Sequence, residues 1–244
     1  MTPTVVFFDL DGVLVDSQDA ENDALLDLAR LVGAPVTAAD VERLFNGRRV
    51  QESIDILARL ATKPMPPDPV GVLRARGEEL IAGRLTAVPG VEEALRAITL
   101  PTYVVSNSPL QMIRDRLRTT GLDGYFGDTH FSAYELKVWK PDPGLYAAAA
   151  EAVSVDPADV LVIEDSRVGV EAAAAAGMPV LWYRPGQRPD EAGVPGTRPL
   201  SDMLDLAKLA ATWTGLGDTR RQEPVAGFAA ATGRWVRREE QEGR

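Results

Sequence analysis

Short apolar runs separated by longer amphipathic stretches organise most of the chain. Val5–Phe8, Thr102–Val105, Val160–Ile163 and Val180–Tyr183 are continuously apolar, aromatic or β-branched. Runs of that length without polar alternation predict strands buried on both faces, as in a parallel sheet. Between them the period changes. Val91, Ala94, Leu95 and Ile98 recur at helical spacing, and Leu110, Ile113 and Leu117 mark the next helix. Tyr146–Val153 and Val170–Ala176 are alanine-rich and helical by propensity, with Gly177 placed to end the second. Strands alternating with helices predict an α/β fold built on a doubly wound parallel sheet.

The stretch from Asp16 to Leu85 breaks this rhythm. Leu25, Leu28, Ala29 and Val32 form one helical stripe, and Ile54, Leu57, Ala58 and Ala61 another. The proline-rich Lys63–Pro69 reads as a connection. The expected organisation is a core of residues 1–15 and 86–213, an all-helical insert over 16–85, and a tail over 214–244. The core resumes near Val88-Pro89-Gly90. The tail is polar, charged and weakly periodic, and is expected to fray rather than form a third domain.

Composition narrows the function more than the fold. Of 244 residues, 45% are hydrophobic and 25% charged, as in an ordinary globular protein. No apolar run reaches membrane-spanning length. Val5–Phe8 begins too early to leave room for a leader peptide, so the cytoplasm is expected. The absence of cysteine rules out disulfides and thiolate metal sites. A formal charge of −10 makes a poor general binder of nucleic acid, and any site for an anion needs local positive charge. The only lysines are Lys63, Lys137, Lys140 and Lys208. The single histidine, His130, reads as a structural residue at a strand end.

Candidate chemistry gathers where the apolar runs stop. Asp9-Leu10-Asp11-Gly12 follows the first, and ligands of open parallel sheets bind at the carboxyl ends of strands. Two carboxylates there can divide into nucleophile and acid/base, although the tetrapeptide alone fits a turn of solvated aspartates equally well. Glu164-Asp165-Ser166 follows the run Val160–Ile163. A carboxylate-rich, all-oxygen site suits Mg²⁺; a simple helix cap at Asp165 or Ser166 is the other reading. Ser106-Asn107-Ser108 offers a hydroxyl and backbone N–H groups to an anion, or merely an N-cap. Lys140 precedes a rigid Pro141-Asp142-Pro143 turn; its compact ammonium suits a phosphoryl group, and a solvated lysine is the alternative.

In their order these motifs resemble the haloacid-dehalogenase superfamily, in the subgroup with a helical cap between its first two motifs. Asp9-Leu10-Asp11-Gly12-Val13, Ser106-Asn107, Lys140-Pro141-Asp142-Pro143 and Glu164-Asp165 match the four motifs. The resemblance spans about residues 4–212. It implies Asp9 as nucleophile, Asp11 as acid and base, and Ser106, Asn107 and Lys140 around the phosphoryl group. It implies Mg²⁺ held by Asp9, Asp11 and Asp165, with Glu164 close by. The dehalogenases of the superfamily lack an aspartate at the position of Asp11, so phosphate chemistry is implied.

Substrate choice is expected in the cap, where Arg48 and Arg49 could place a cation or simply be solvated. Phe45–Leu57 and Phe131–Pro143 resemble the branch acting on phosphorylated sugars and sugar acids, 6-phosphogluconate among them. The expected partner is thus a small phosphorylated metabolite, with no nucleic acid or membrane, and the expected assembly a monomer or homodimer. Phosphoglycolate hydrolysis and a β-phosphoglucomutase-type transfer are the alternatives. The mutases carry a histidine and a lysine where this chain has Glu21 and Asn46.

Overall fold

The computed structural model describes residues 3–45, 48, 50–185, 194, 197–211, 227–229 and 234–236. The chain divides into two compact units, Met1–Leu14 with Ala87–Arg244, and Val15–Thr86.

In the first unit the buried runs become strands β1 (Val5–Phe8), β2 (Thr102–Ser106), β4 (Val160–Glu164) and β5 (Val180–Tyr183). They are flanked by β3 (His130–Ser132) and β6 (Thr197–Leu200). All six are parallel, in the order β3-β2-β1-β4-β5-β6. The chain lays down β1, β2 and β3 towards one edge, then returns to the other side of β1 for β4. That reversal makes the carboxyl ends of β1 and β4 the place where a doubly wound sheet binds ligands. Register sets the two ends level, with Phe8 opposite Ile163. β3 bears the strand end expected at His130, although three residues were too few to bound it from sequence; β6 (Thr-Arg-Pro-Leu) is an addition and buries only Leu200, which suits an edge where proline is tolerated.

Helices α5 (Val91–Ala97), α6 (Leu110–Thr120), α7 (Ala133–Leu136), α8 (Gly144–Ala152), α9 (Arg167–Ala175) and α10 (Met203–Ala211) complete this unit's regular helices. On one face of the sheet, Tyr146, Ala149 and Ala150 of α8 and Val170 and Ala173 of α9 join Phe7, Val105 and Val162 in one core. Beyond it, Phe8 meets Phe126 edge-on at 5.8 Å. Each fully buried Val or Phe side chain of this core contributes about 1.5–3 kcal/mol.

The second unit contains α1 (Gln18–Val32), α2 (Ala38–Phe45), α3 (Val50–Leu60) and α4 (Pro69–Ile81), with no strand among its described residues. Its own core includes Leu28, Val32, Val41, Phe45, Ile54 and Leu57. On α3 the inward stripe is Ser53, Ile54 and Leu57; Ala58, expected on it, is exposed. Asp68 caps α4, its carboxylate accepting from Gly71 N at 2.8 Å with Pro69 in the first turn.

Within the tail, β7 (Gly227–Ala229) and β8 (Arg234–Val236) pair antiparallel. No helix among the described residues is long and apolar enough to cross a membrane.

Candidate active site

Strand geometry delivers the first functional side chain. Asp9 directly follows β1, and its backbone N–H donates to the Ile163 carbonyl at 3.0 Å, tying it to β4. Its carboxylate is met by Lys140, whose Nζ donates to Asp9 Oδ1 at 2.6 Å, to Glu164 Oε1 at 2.6 Å and to the Val105 carbonyl at 2.8 Å. Three acceptors satisfy the three donors of an ammonium, which is how a lysine only 3% exposed can remain charged. The Nζ also lies 5.0 Å from the centre of the Tyr146 ring.

The loop carrying Lys140 is held from the second motif. Asn107 Oδ1 accepts from Lys140 N at 2.9 Å, and Asn107 Nδ2 donates to the Lys140 carbonyl at 3.4 Å. The Asn107 side chain thus bonds both backbone polar groups of Lys140 and ties its loop to the end of β2. Ser106, the last residue of β2, is buried, and its hydroxyl oxygen accepts from Ser108 N at 3.0 Å.

Glu164, the last residue of β4, is fully buried. Beside the Lys140 bond, its Oε1 accepts from the Tyr146 hydroxyl at 3.1 Å; Oε2 accepts from Ser166 N and Ser166 Oγ, both at 3.0 Å. Ser166 in turn caps α9 by accepting from Gly169 N at 3.1 Å. Glycine is required at Gly169, because a Cβ there would overlap the Glu164 carboxylate.

Asp165 stands apart from this network. Its backbone carbonyl accepts from Trp182 Nε1 at 2.8 Å, yet among the described residues none donates to its carboxylate. That carboxylate lies against Gly12, whose φ of +79° and lack of a Cβ permit the approach. One carboxylate oxygen from each of Asp9, Glu164 and Asp165 lies within 4.8 Å of the other two.

Asp11 is held from a different direction. Its Oδ2 accepts from Ser108 Oγ at 2.9 Å, and its Oδ1 from Arg116 Nη1. Arg116 was missed in the sequence, although a signal exists. It falls on the apolar stripe of α6, three residues after Ile113 and beside Leu117, and all three are buried. A cation on a buried stripe of a helix that starts just beyond a strand's carboxyl end invites a search for its anion.

The electrostatics follow from burial. Desolvation pushes the Asp9 carboxyl up to about 7; Lys140 opposes this, and the nearby Glu164 and Asp11 add to it. Desolvation raises Asp165 well above the ordinary carboxylate range, helped by Glu164 and Asp9. Burial works against the charge on Lys140, but the attraction of Asp9 and Glu164 outweighs it and holds the ammonium protonated. Four carboxylates thus converge on two cationic side chains, and the uncompensated negative charge falls on Asp9 and Asp165. Those two also have carboxylate oxygens without a protein donor among the described residues, so the donor set fits a hard divalent cation such as Mg²⁺.

A profile of the haloacid dehalogenase-like hydrolases matches residues 3–177. The chain belongs to this family. The hydrolase is 33% identical over 179 residues to the 6-phosphogluconate phosphatase of Escherichia coli (strain K12), covering 73% of this chain and 81% of that protein. It is 32% identical over 181 residues to a phosphorylated carbohydrates phosphatase of Thermotoga maritima, covering 72% and 83%. Among solved structures, a conserved haloacid dehalogenase-like protein of Agrobacterium tumefaciens str. C58 superimposes with a TM-score of 0.74 at 27% identity, covering 87% of this hydrolase and all of that chain. The hydrolase is an enzyme of the phosphatase type to which the first two relatives belong.

The remaining expected residues lie in the helical unit. Arg48 is exposed, three residues beyond the end of α2, and its Nε donates to the Leu44 carbonyl of that helix at 2.7 Å. Arg49, with Asn46 and Gly47, lies outside the described residues.

Proposed function

We propose that the hydrolase is a Mg²⁺-dependent phosphatase. It releases inorganic phosphate from a small sugar phosphate or sugar-acid phosphate, such as 6-phosphogluconate, through an aspartyl-phosphate. The observation that carries the reading is the Lys140 ammonium shared between Asp9 and Glu164 at the β1/β4 carboxyl ends, beside the undonated carboxylate of Asp165. A nucleophilic carboxylate in such a place needs a fixed cation beside it, and phosphoryl transfer is chiefly positioning and charge neutralisation.

In this scheme Asp9 attacks phosphorus through a carboxylate oxygen. As that O–P bond forms, the ester P–O bond breaks, and Asp11 gives its proton to the leaving oxygen. Asp11, now a carboxylate, then takes a proton from the water that attacks the aspartyl-phosphate, returning Asp9 and phosphate. Ser106 donates its hydroxyl to a phosphoryl oxygen, and Lys140 balances charge between Asp9 and the phosphoryl group. Asp9 and Asp165 would hold Mg²⁺ through carboxylate oxygens, joined by the Asp11 backbone carbonyl. When bound, the ion supplies neutralisation of phosphoryl-oxygen charge in transfer. Glu164 keeps Lys140 in place.

The two sugar-phosphate-directed relatives support the substrate class. The test is a panel of phosphorylated sugars, sugar acids and phosphoglycolate, scored by free phosphate with Mg²⁺. Turnover is expected on the sugar-type esters and is abolished in Asp9→Asn. Turnover by Asp9→Asn would defeat the scheme. Conversion of β-glucose 1-phosphate to glucose 6-phosphate faster than phosphate release would make the enzyme a mutase instead.

A further inference from the structure

We propose that Arg116 is a positioning residue for the proton-transfer step, acting through Asp11; this rests on the acid/base role proposed above. Arg116 is 5% exposed, on the inward stripe of α6. Its Nη1 donates to Asp11 Oδ1 while Ser108 Oγ donates to Asp11 Oδ2 at 2.9 Å. Two side chains from different elements thus hold one carboxylate. Ser108 is itself fixed, its carbonyl accepting from Ser132 Oγ at 2.8 Å.

The chemistry of the three groups makes this arrangement directional. A guanidinium is a permanent donor and never an acceptor, whereas a serine hydroxyl can turn to be either. Oδ1 of Asp11 can accept from Arg116 whether or not the carboxyl carries a proton. Arg116 thereby holds the torsion of the carboxyl that delivers and receives the proton. An acid must lie within hydrogen-bond reach of the leaving oxygen, and an error of about 1 Å can cost on the order of 100-fold.

The inference predicts a dependence on the leaving group. The quantity to measure is kcat/KM, which reports steps up to departure of the alcohol and not the later hydrolysis. It is compared between an alkyl phosphate, whose leaving oxygen needs a proton, and p-nitrophenyl phosphate, whose leaving group does not. Arg116→Met keeps an apolar stem but no donor. It should lower the alkyl-to-aryl ratio of kcat/KM by about 10- to 100-fold, in the same direction as Asp11→Asn. Arg116→Lys restores a cation on a shorter reach and should recover part of the ratio. An unchanged ratio in Arg116→Met, with Asp11→Asn selectively impaired, overturns the inference. If Arg116→Met does not fold, Arg116→Lys decides by itself: a ratio equal to wild type, or equal loss on both esters, overturns it. If instead Asp11→Asn lowers both esters equally, the acid/base reading of Asp11 is what fails.

Discussion

Glu164→Gln separates two roles that a buried carboxylate beside a cation site can have. The side chain keeps its size, so the change is purely in donors and charge. Both oxygens of Glu164 accept, Oε1 from Lys140 and Tyr146, Oε2 from the backbone and hydroxyl of Ser166. A carboxamide has one acceptor oxygen and one NH₂. Turned one way, its NH₂ confronts the Lys140 ammonium across 2.6 Å; turned the other, it confronts Ser166 N across 3.0 Å. The second is the lesser conflict. It weakens a charge-assisted bond, worth about 1.5–3 kcal/mol, and leaves a buried N–H without an acceptor, at about 1–3 kcal/mol. The sum is about 4 kcal/mol, in keeping with the ~3–5 kcal/mol lost when one partner of a buried ion pair is removed. For a protein of this size that lowers the Tm by about 8–16 °C. The four tryptophans all lie outside the helical unit, so fluorescence-monitored melting reports on the sheet unit. Activity should fall with the melting temperature, because Lys140 loses one of its two anionic anchors. A Glu164→Gln protein that melts within about 2 °C of wild type but binds Mg²⁺ weakly would refute this reasoning and make Glu164 a metal ligand.

Three further outcomes are expected. Gly12→Ala should impair catalysis more than stability, since the new methyl overlaps the Asp165 carboxylate in a backbone conformation at φ +79° that L-residues rarely adopt; wild-type kcat/KM with Mg²⁺ would contradict that placement. Chelation should stop turnover, Mg²⁺ should restore it, and Asp165→Ala should raise the Mg²⁺ concentration needed; full activity in excess chelator removes the metal from the reaction. His130 is pushed down to about 4 by burial, with Arg114 adding to this and Asp128 opposing it. Its folded value lies below the ordinary 6.5. The unfolded chain therefore takes the proton first, and up to about 3 kcal/mol of stability, complete above pH 6.5, drains away as pH falls towards 4. As the only histidine, it gives a single imidazole NMR signal, and a midpoint near 6.5 would show that it is not buried neutral.

What the sequence determined by itself was the middle of the sheet and the order of the chemistry. β1, β2, β4 and β5 are the strands that neighbour other strands on both sides, and burial on both faces writes itself as an unbroken apolar run. At the edges that signature is missing for two reasons: β6 buries only Leu200, while β3 is buried but three residues long and flanks its one apolar residue with His130 and Ser132. Asp9, Ser106, Glu164 and Asp165 could be singled out because each sits at or just beyond a strand end, where polarity changes abruptly, and Lys140 because lysine is scarce and a Pro-Asp-Pro turn follows it. Tertiary structure alone decided which acceptor each donor meets. That Asn107 spends its amide on the backbone of Lys140 depends on a contact across 33 residues, and the meeting of Arg116 with Asp11 on one across 105. Local periodicity records how buried a position is, so Arg116 looked like a blemish on the stripe of α6. Only the folding of α6 against the end of β1 supplies the anion that makes its burial tolerable, because pairing of buried charge is a property of three-dimensional proximity.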